Sequence, residues 1–145
     1  MSINELYREL IIDHGRHPRN FGELVSATHV HAGNNPLCGD QLVVYLEIKQ
    51  GIIENIQFKG LGCAISMASA SIMTETLKGK NLADTEEIFR LFHQLVIGEK
   101  MDTDLGKLSA FAGVAEFPAR VKCASLAWHT LKAAINQDSN PVSTE

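Results

Sequence analysis

The sequence has no cluster of Lys or Arg, no stretch of eighteen uninterrupted apolar residues, no CxxC motif and only three cysteines in 145 residues. Each shortage closes off a class of protein. Nucleic acid and anionic lipid both demand concentrated positive charge. Here 13 Lys and Arg face 17 Asp and Glu, for a formal net charge of -4, so no nucleic acid and no membrane is expected as a partner. Without a long apolar stretch no membrane-spanning helix is expected, and Glu5, Arg8 and Glu9 stand where a secretory signal would be apolar. The expected location is therefore cytoplasmic. In that reducing compartment an odd set of three thiols is not a disulfide framework. The cysteines are buried hydrophobes, reactive thiols or metal ligands, and which of these holds decides the function.

What is present is the composition of an ordinary globular chain, 45% hydrophobic and 21% charged. A domain of this length buries roughly 70% of the surface its unfolded chain exposes, enough for a core without staples. Ser2 with Glu5 reads as a capping box, and Ile3, Leu6, Tyr7, Leu10 and Ile11 recur at helical spacing. A first helix is thus expected to about His14, with Pro18 forbidding its continuation. His14 and His17 suit its C-terminal end as partly protonated imidazoles. From Ser26 the texture turns to strand over residues 26–32, 41–49 and 52–59, with Leu42, Val44, Leu46 and Ile48 alternating toward one side and Gln50-Gly51 marking a tight hairpin. His29 and His31 are expected as exposed strand residues.

Beyond Cys63 every periodic segment is helical: residues 64–78, a helix opening on an Asp84 and Glu87 capping box and stopping at Gly98, a shorter one over about 104–112, and a last one from Pro118 to about Asn136. Strands followed by helices predict a single α+β domain, a three-stranded antiparallel sheet packed against about five helices. Trp128, Phe111 and Phe117 are expected in its core. The domain is expected to span residues 1–136, and residues 137–145, rich in turn formers, to be a flexible tail.

The cysteines all fall at element junctions. Cys38 precedes the long strand in NNPLCGD, with Asp40 two residues on, so an extended backbone turns both side chains to one side. Cys63 opens a helix in GLGCAISMAS, where exposed amide N–H groups favour a thiolate. Cys123 lies in the opening turns of the last helix in FPARVKCASLAW, beside Lys122 and three residues after Arg120, cations expected to lower a thiol pKa. Gaps of 25 and 60 residues between the thiols leave both convergent ligation and separate core cysteines open. If they converge, three soft sulfurs and one hard oxygen suit zinc, or an iron–sulfur centre meant to leave.

NNPLCGD, GLGCAISMASASIMTE with LKGK, and FPARVKCASLAW together closely resemble the three motifs of the U-type iron–sulfur cluster assembly family, the NifU N-terminal, IscU and SufU proteins, over residues 1 to about 136. The resemblance implies that Cys38, Asp40, Cys63 and Cys123 are the metal or cluster ligands. IscU-type scaffolds carry a histidine just before the last cysteine and an LPPVK stretch read by a dedicated Hsp70 chaperone. Lys122 and EFPARVK stand there instead, and residues from about 91 to 113 look like the additional helical segment of SufU-type proteins, so the chain is closer to SufU.

That subtype implies a tightly held zinc ion and a sulfurtransferase role, accepting persulfide sulfur from a PLP-dependent cysteine desulfurase. Cys38 would then be the attacking thiol, Cys63, Cys123 and Asp40 would retain the zinc, and Arg120 would engage the displaced groups. The scaffold alternative implies that the same four ligands cradle a [2Fe–2S] cluster, later passed to apo iron–sulfur proteins, with Asp40 as the weak ligand. A structural zinc-binding interaction module is a third reading. A cysteine hydrolase is disfavoured, because none of the six histidines has a spacing that assigns it to a thiol.

Overall fold

The fold is that of a computed structural model, which describes residues 2–144. Helix α1 (Ile3–Arg16) starts where the Ser2 hydroxyl accepts the Glu5 backbone N–H at 3.2 Å and ends just before Pro18. Strands β1 (His29–Asn35), β2 (Asp40–Lys49) and β3 (Ile52–Leu61) form an antiparallel meander in which Gln50 and Gly51, both at positive φ, make the β2–β3 turn. Four helices follow among the described residues: α2 (Ala64–Leu77), α3 (Leu82–Val96), a 3-10 helix (Gly106–Glu116) and α4 (Pro118–Asn136).

The sheet differs from the expected three antiparallel strands. A fourth strand, β4 (Val142–Ser143), pairs parallel with β1 through Gly33 and Asn34, so the order is β3-β2-β1-β4 and the sheet is mixed. Two residues have no periodicity to read, which is why a segment of turn formers concealed it. In the stretch expected as a flexible tail, the structure thus seats these residues on the sheet edge.

Leu42, Val44 and Leu46 are fully buried on the face that α2 and α4 cover. Helix α2 is the central element: residues 66–74 are buried on every side, so its Ser and Ala run serves close packing. Its serines carry the polar load of that burial. Ser69 donates to the Ala124 carbonyl at 2.6 Å and accepts from the Trp128 indole at 3.1 Å, tying α2 to α4. Trp128 also stacks on Phe92 at 4.5 Å between centroids, with Phe111 edge-on to Phe92.

Several local expectations are corrected. Helix α3 starts at Leu82 because Asn81, not Asp84, is its cap: the Asn81 side chain accepts the Asp84 N–H at 2.7 Å, and Asn81 bridges to Ile52 of the sheet. The shorter helix is 3-10, consistent with Leu108, Phe111 and Val114 being buried at a spacing of three. Phe117 is exposed, its ring lying under the Arg120 guanidinium at 4.5 Å. His14 is fully buried rather than wet at a helix end, its Nδ1 paired with Ser71 Oγ at 2.7 Å. His31 is buried too, bonded to the Asn140 carbonyl at 2.7 Å. No helix among the described residues is long and apolar enough to cross a membrane.

Candidate metal centre

The turn between β1 and β2 decides where the first two groups fall. Asn35 and Asp40 are the last register pair of the two strands, leaving residues 36–39 as the loop, closed by the Cys38 N–H on the Asn35 carbonyl at 3.3 Å. Gly39 takes φ 71° to complete it. Cys38 thereby stands exposed on a hairpin tip while Asp40, two residues later, is fully buried. A short loop has separated one thiol from one carboxylate in exposure but not in space.

The β3–α2 turn delivers the third group. Asp40 Oδ1 accepts the Cys63 backbone N–H at 2.8 Å, a contact only glycine permits at the preceding position, because a Cβ on Gly62 would lie 2.7 Å from that same oxygen. Cys63 is the N-cap of α2: its sulfur accepts the Ser66 N–H at 3.4 Å. This is the helix start that its sequence position implies. Cys123 comes from the second turn of α4, buried, with its Sγ 3.3 Å from that of Cys38.

The ligating atoms of Cys38, Asp40 and Cys123 all lie within 4.8 Å of one another. Cys63 falls outside that mutual set, although its side chain also contacts Cys123. Thiolates bound tetrahedrally at about 2.3 Å to one zinc would sit about 3.8 Å apart, close to the Cys38–Cys123 separation. The donors of Cys38, Asp40 and Cys123 therefore fit a soft divalent cation. Without one the cluster is electrostatically self-opposed. Burial raises the Cys123 thiol well above its usual range, and contacts with Cys38 and Cys63, together with the charges of Cys63 and Asp40, push it the same way.

That direction corrects the expectation that neighbouring cations would lower it. Arg120 is exposed over Phe117 and, among the described residues, makes no hydrogen bond to any thiol. Lys122 lines a cavity on the flank of α4 whose lining includes none of the three cysteines. Sequence reasoning missed Asn35. It is fully buried and its Nδ2 donates to both Asp40 Oδ2 at 3.3 Å and Cys123 Sγ at 3.5 Å. The only available signal was its place at the end of NNP before the ligand loop. Among the described residues no histidine joins that mutual set.

The profile of the NifU-like N terminal domain matches residues 6–140. The zinc-dependent sulfurtransferase SufU of Bacillus subtilis is 40% identical over 139 residues, spanning 94% of each chain. The iron-sulfur cluster assembly scaffold protein IscU of Streptococcus pyogenes is 38% identical over 140 residues, covering 95% of this chain and 87% of its own. A crystal structure from Fervidobacterium islandicum AW-1, of a protein assigned as a cluster assembly scaffold for the SUF system, superposes with a TM-score of 0.84 at 32% identity, covering 92% of this chain and 99% of that one.

Proposed function

The chain belongs to the NifU-like N-terminal domain family, and from that premise we propose that it holds zinc at Cys38, Asp40, Cys63 and Cys123 and accepts persulfide sulfur from a PLP-dependent cysteine desulfurase. The observation that carries this reading is the unequal exposure of the thiols. Cys38 is at the surface on a hairpin tip, whereas Cys123 and Asp40 are buried and Cys63 half-buried. Bound there, zinc would keep the thiols deprotonated at neutral pH against the burial that otherwise protonates Cys123.

The residues divide the work. Cys38 is the thiol a partner can reach. Its thiolate attacks the outer sulfur of the desulfurase persulfide, forming a new S–S bond on Cys38 as the desulfurase cysteine leaves as a thiolate, so no oxidant is consumed. Asp40 is held by Cys63 N–H and Asn35 Nδ2 and keeps its place with Cys63 and Cys123 while Cys38 is engaged. Arg120, exposed one helical turn before Cys123, would swing from Phe117 toward the displaced groups. Leu37 and Leu61, 68% and 77% exposed beside Cys38 and Cys63, offer the apolar rim on which a desulfurase would dock.

The scaffold reading keeps the same ligands and makes a [2Fe–2S] cluster the cargo, passed on to apo iron–sulfur proteins. The similarity to the protein named IscU favours it, and a carboxylate among thiols would ease release. A purely structural zinc module is disfavoured, since the hydrophobic core cluster of sheet, α2 and α4 closes without any of the four ligands. The deciding experiment is metal analysis and a visible spectrum of anaerobically purified protein, followed by desulfurase turnover. Colourless protein with one zinc that accelerates turnover, and a C38A variant that does not, supports the carrier. Brown protein that hands its cluster to apo-ferredoxin, or a C38A variant that stimulates fully, overturns it.

A further inference from the structure

The cavity on the flank of α4 away from the cysteines has a volume of about 530 Å³ and is walled by α3, α4 and the β4 segment. Its polar lining is rich in donors. Lys122, Ser125 and His129 follow one another along a single stripe of α4, His93 faces His129 from α3 with ring centroids 6.4 Å apart, and Thr144 closes the far side. In a chain whose net charge is negative, this concentration of cationic and donor groups is not a consequence of composition.

The second observation is that these donors lack partners. Ser125 is 93% buried and its hydroxyl makes no hydrogen bond among the described residues. Thr144 Oγ1 is buried and likewise unpaired. Lys122 has no carboxylate within ion-pair reach among the described residues, unlike Lys132 on the same wall, which is paired with Glu86 at 3.6 Å and lies over the Phe89 ring. Buried hydroxyls are normally satisfied. Thr144 Oγ1 left open in this way, with the Ser125 hydroxyl, an unpaired ammonium and two imidazoles lining the same cavity, describes half of a set of hydrogen bonds.

We propose that this cavity is a binding site for a phosphate monoester. A phosphate offers three oxygens to several donors at once, which a carboxylate cannot match. Val121, Ala133 and Val142 line the same space and would take the organic part. The volume falls within the range of small-ligand sites. Asp138 also lines the cavity and excludes a second anionic group there. Burial, then the charges of His93 and Lys132, hold His129 below the usual imidazole range, and an anion bound between them would reverse that direction.

Phenyl phosphate, inorganic phosphate and benzoate are the probes, titrated against the full chain at constant ionic strength while the C2 protons of His93 and His129 are followed by NMR. Saturable shifts of these two histidines with phenyl phosphate, weaker ones with inorganic phosphate and a rise in the pKa of His129 are expected. The S125A/T144A double variant should bind about tenfold more weakly. Shifts that chloride reproduces, tighter binding of benzoate than of phenyl phosphate, or an unaltered double variant would each overturn the assignment. Should the double variant not fold, the wild-type titration and its competitor order decide alone.

Discussion

Asn35 provides the sharpest test of how the centre is held. Its Nδ2 is the shared donor to Asp40 Oδ2 and Cys123 Sγ, at 3.3 and 3.5 Å. Hydrogen bonds to charged acceptors contribute about 1.5–3 kcal/mol each, and at these long distances the lower end applies. Asn35→Ala should therefore cost about 1.5–3 kcal/mol of zinc binding, a weakening of roughly 10- to 100-fold, the usual scale for a group that orients a metal ligand.

Asn35→Asp changes shape hardly at all but replaces the donor with a carboxylate. At an effective dielectric of about 20, two like charges about 4 Å apart repel by about 4 kcal/mol, and Asp40 and thiolate Cys123 both lie near that range. The aspartate variant should bind zinc more weakly than the alanine variant, with competition against a chromophoric chelator as the assay. Thermal unfolding of metal-free protein checks that each variant is folded. If Asn35→Asp bound zinc as tightly as the unaltered chain, the carboxylate would have joined the ligand set and the orienting role assigned to the amide would be refuted.

Three further outcomes are expected. Oxidation of metal-free protein with diamide should join Cys38 to Cys123, whose sulfurs are 3.3 Å apart and need close only to about 2.05 Å; peptide mapping that finds Cys63 in the dominant disulfide would contradict the arrangement. Ser69→Ala strands the Trp128 indole N–H in the core and removes the tie to the Ala124 carbonyl, costing about 1–3 kcal/mol and lowering Tm by roughly 2–10 °C, which calorimetry would detect. Burial lowers the pKa of His14 and of His129, so the unfolded chain binds more protons than the folded one as pH falls below about 6.5. Stability is then full above that pH and lost below it, and urea titrations across pH 8 to 5.5 should show a slope that His14→Gln reduces.

Legibility followed the strength of local signals. The β2–β3 hairpin could be read because alternation in Leu42, Val44 and Leu46 and the Gln50-Gly51 turn agree on one register. The ends of α4 could be read because Pro118 at its first turn and the polar stretch after Asn136 both act within a few residues. His14 was misjudged because its neighbours Leu10 and Ile11 place it equally well on the buried face or at the helix end; a tertiary contact, Ser71 Oγ, makes the choice. Asn35 was invisible for the same reason, since its partners are 5 and 88 residues away. The thiols could be nominated singly from their junctions. Their convergence depends on α4 crossing the sheet at one height, which no local pattern encodes.

The way the ligands are rooted bears on why such a centre can exchange what it holds. A site whose ligands also carry the core cannot release one without loosening the fold. Here the core is closed by Trp128, Phe92 and Phe111 and by the Ser69 bridge between α2 and α4, none of which touches the centre. Cys63 is tied to the start of α2 and Asp40 to both Cys63 and Asn35. Cys38 is rooted in its loop, a four-residue hairpin end at the surface, with one weak sulfur contact to Cys123. Moving it costs one turn hydrogen bond, that of its own N–H to Asn35, and the weak sulfur contact with Cys123, whereas moving Asp40 strands the Cys63 N–H and takes a charged acceptor from Asn35. The cheapest distortion of the site is thus the one that brings the exposed sulfur outward, and the geometry that lets a partner take that thiol is the same geometry that keeps the other three groups in place.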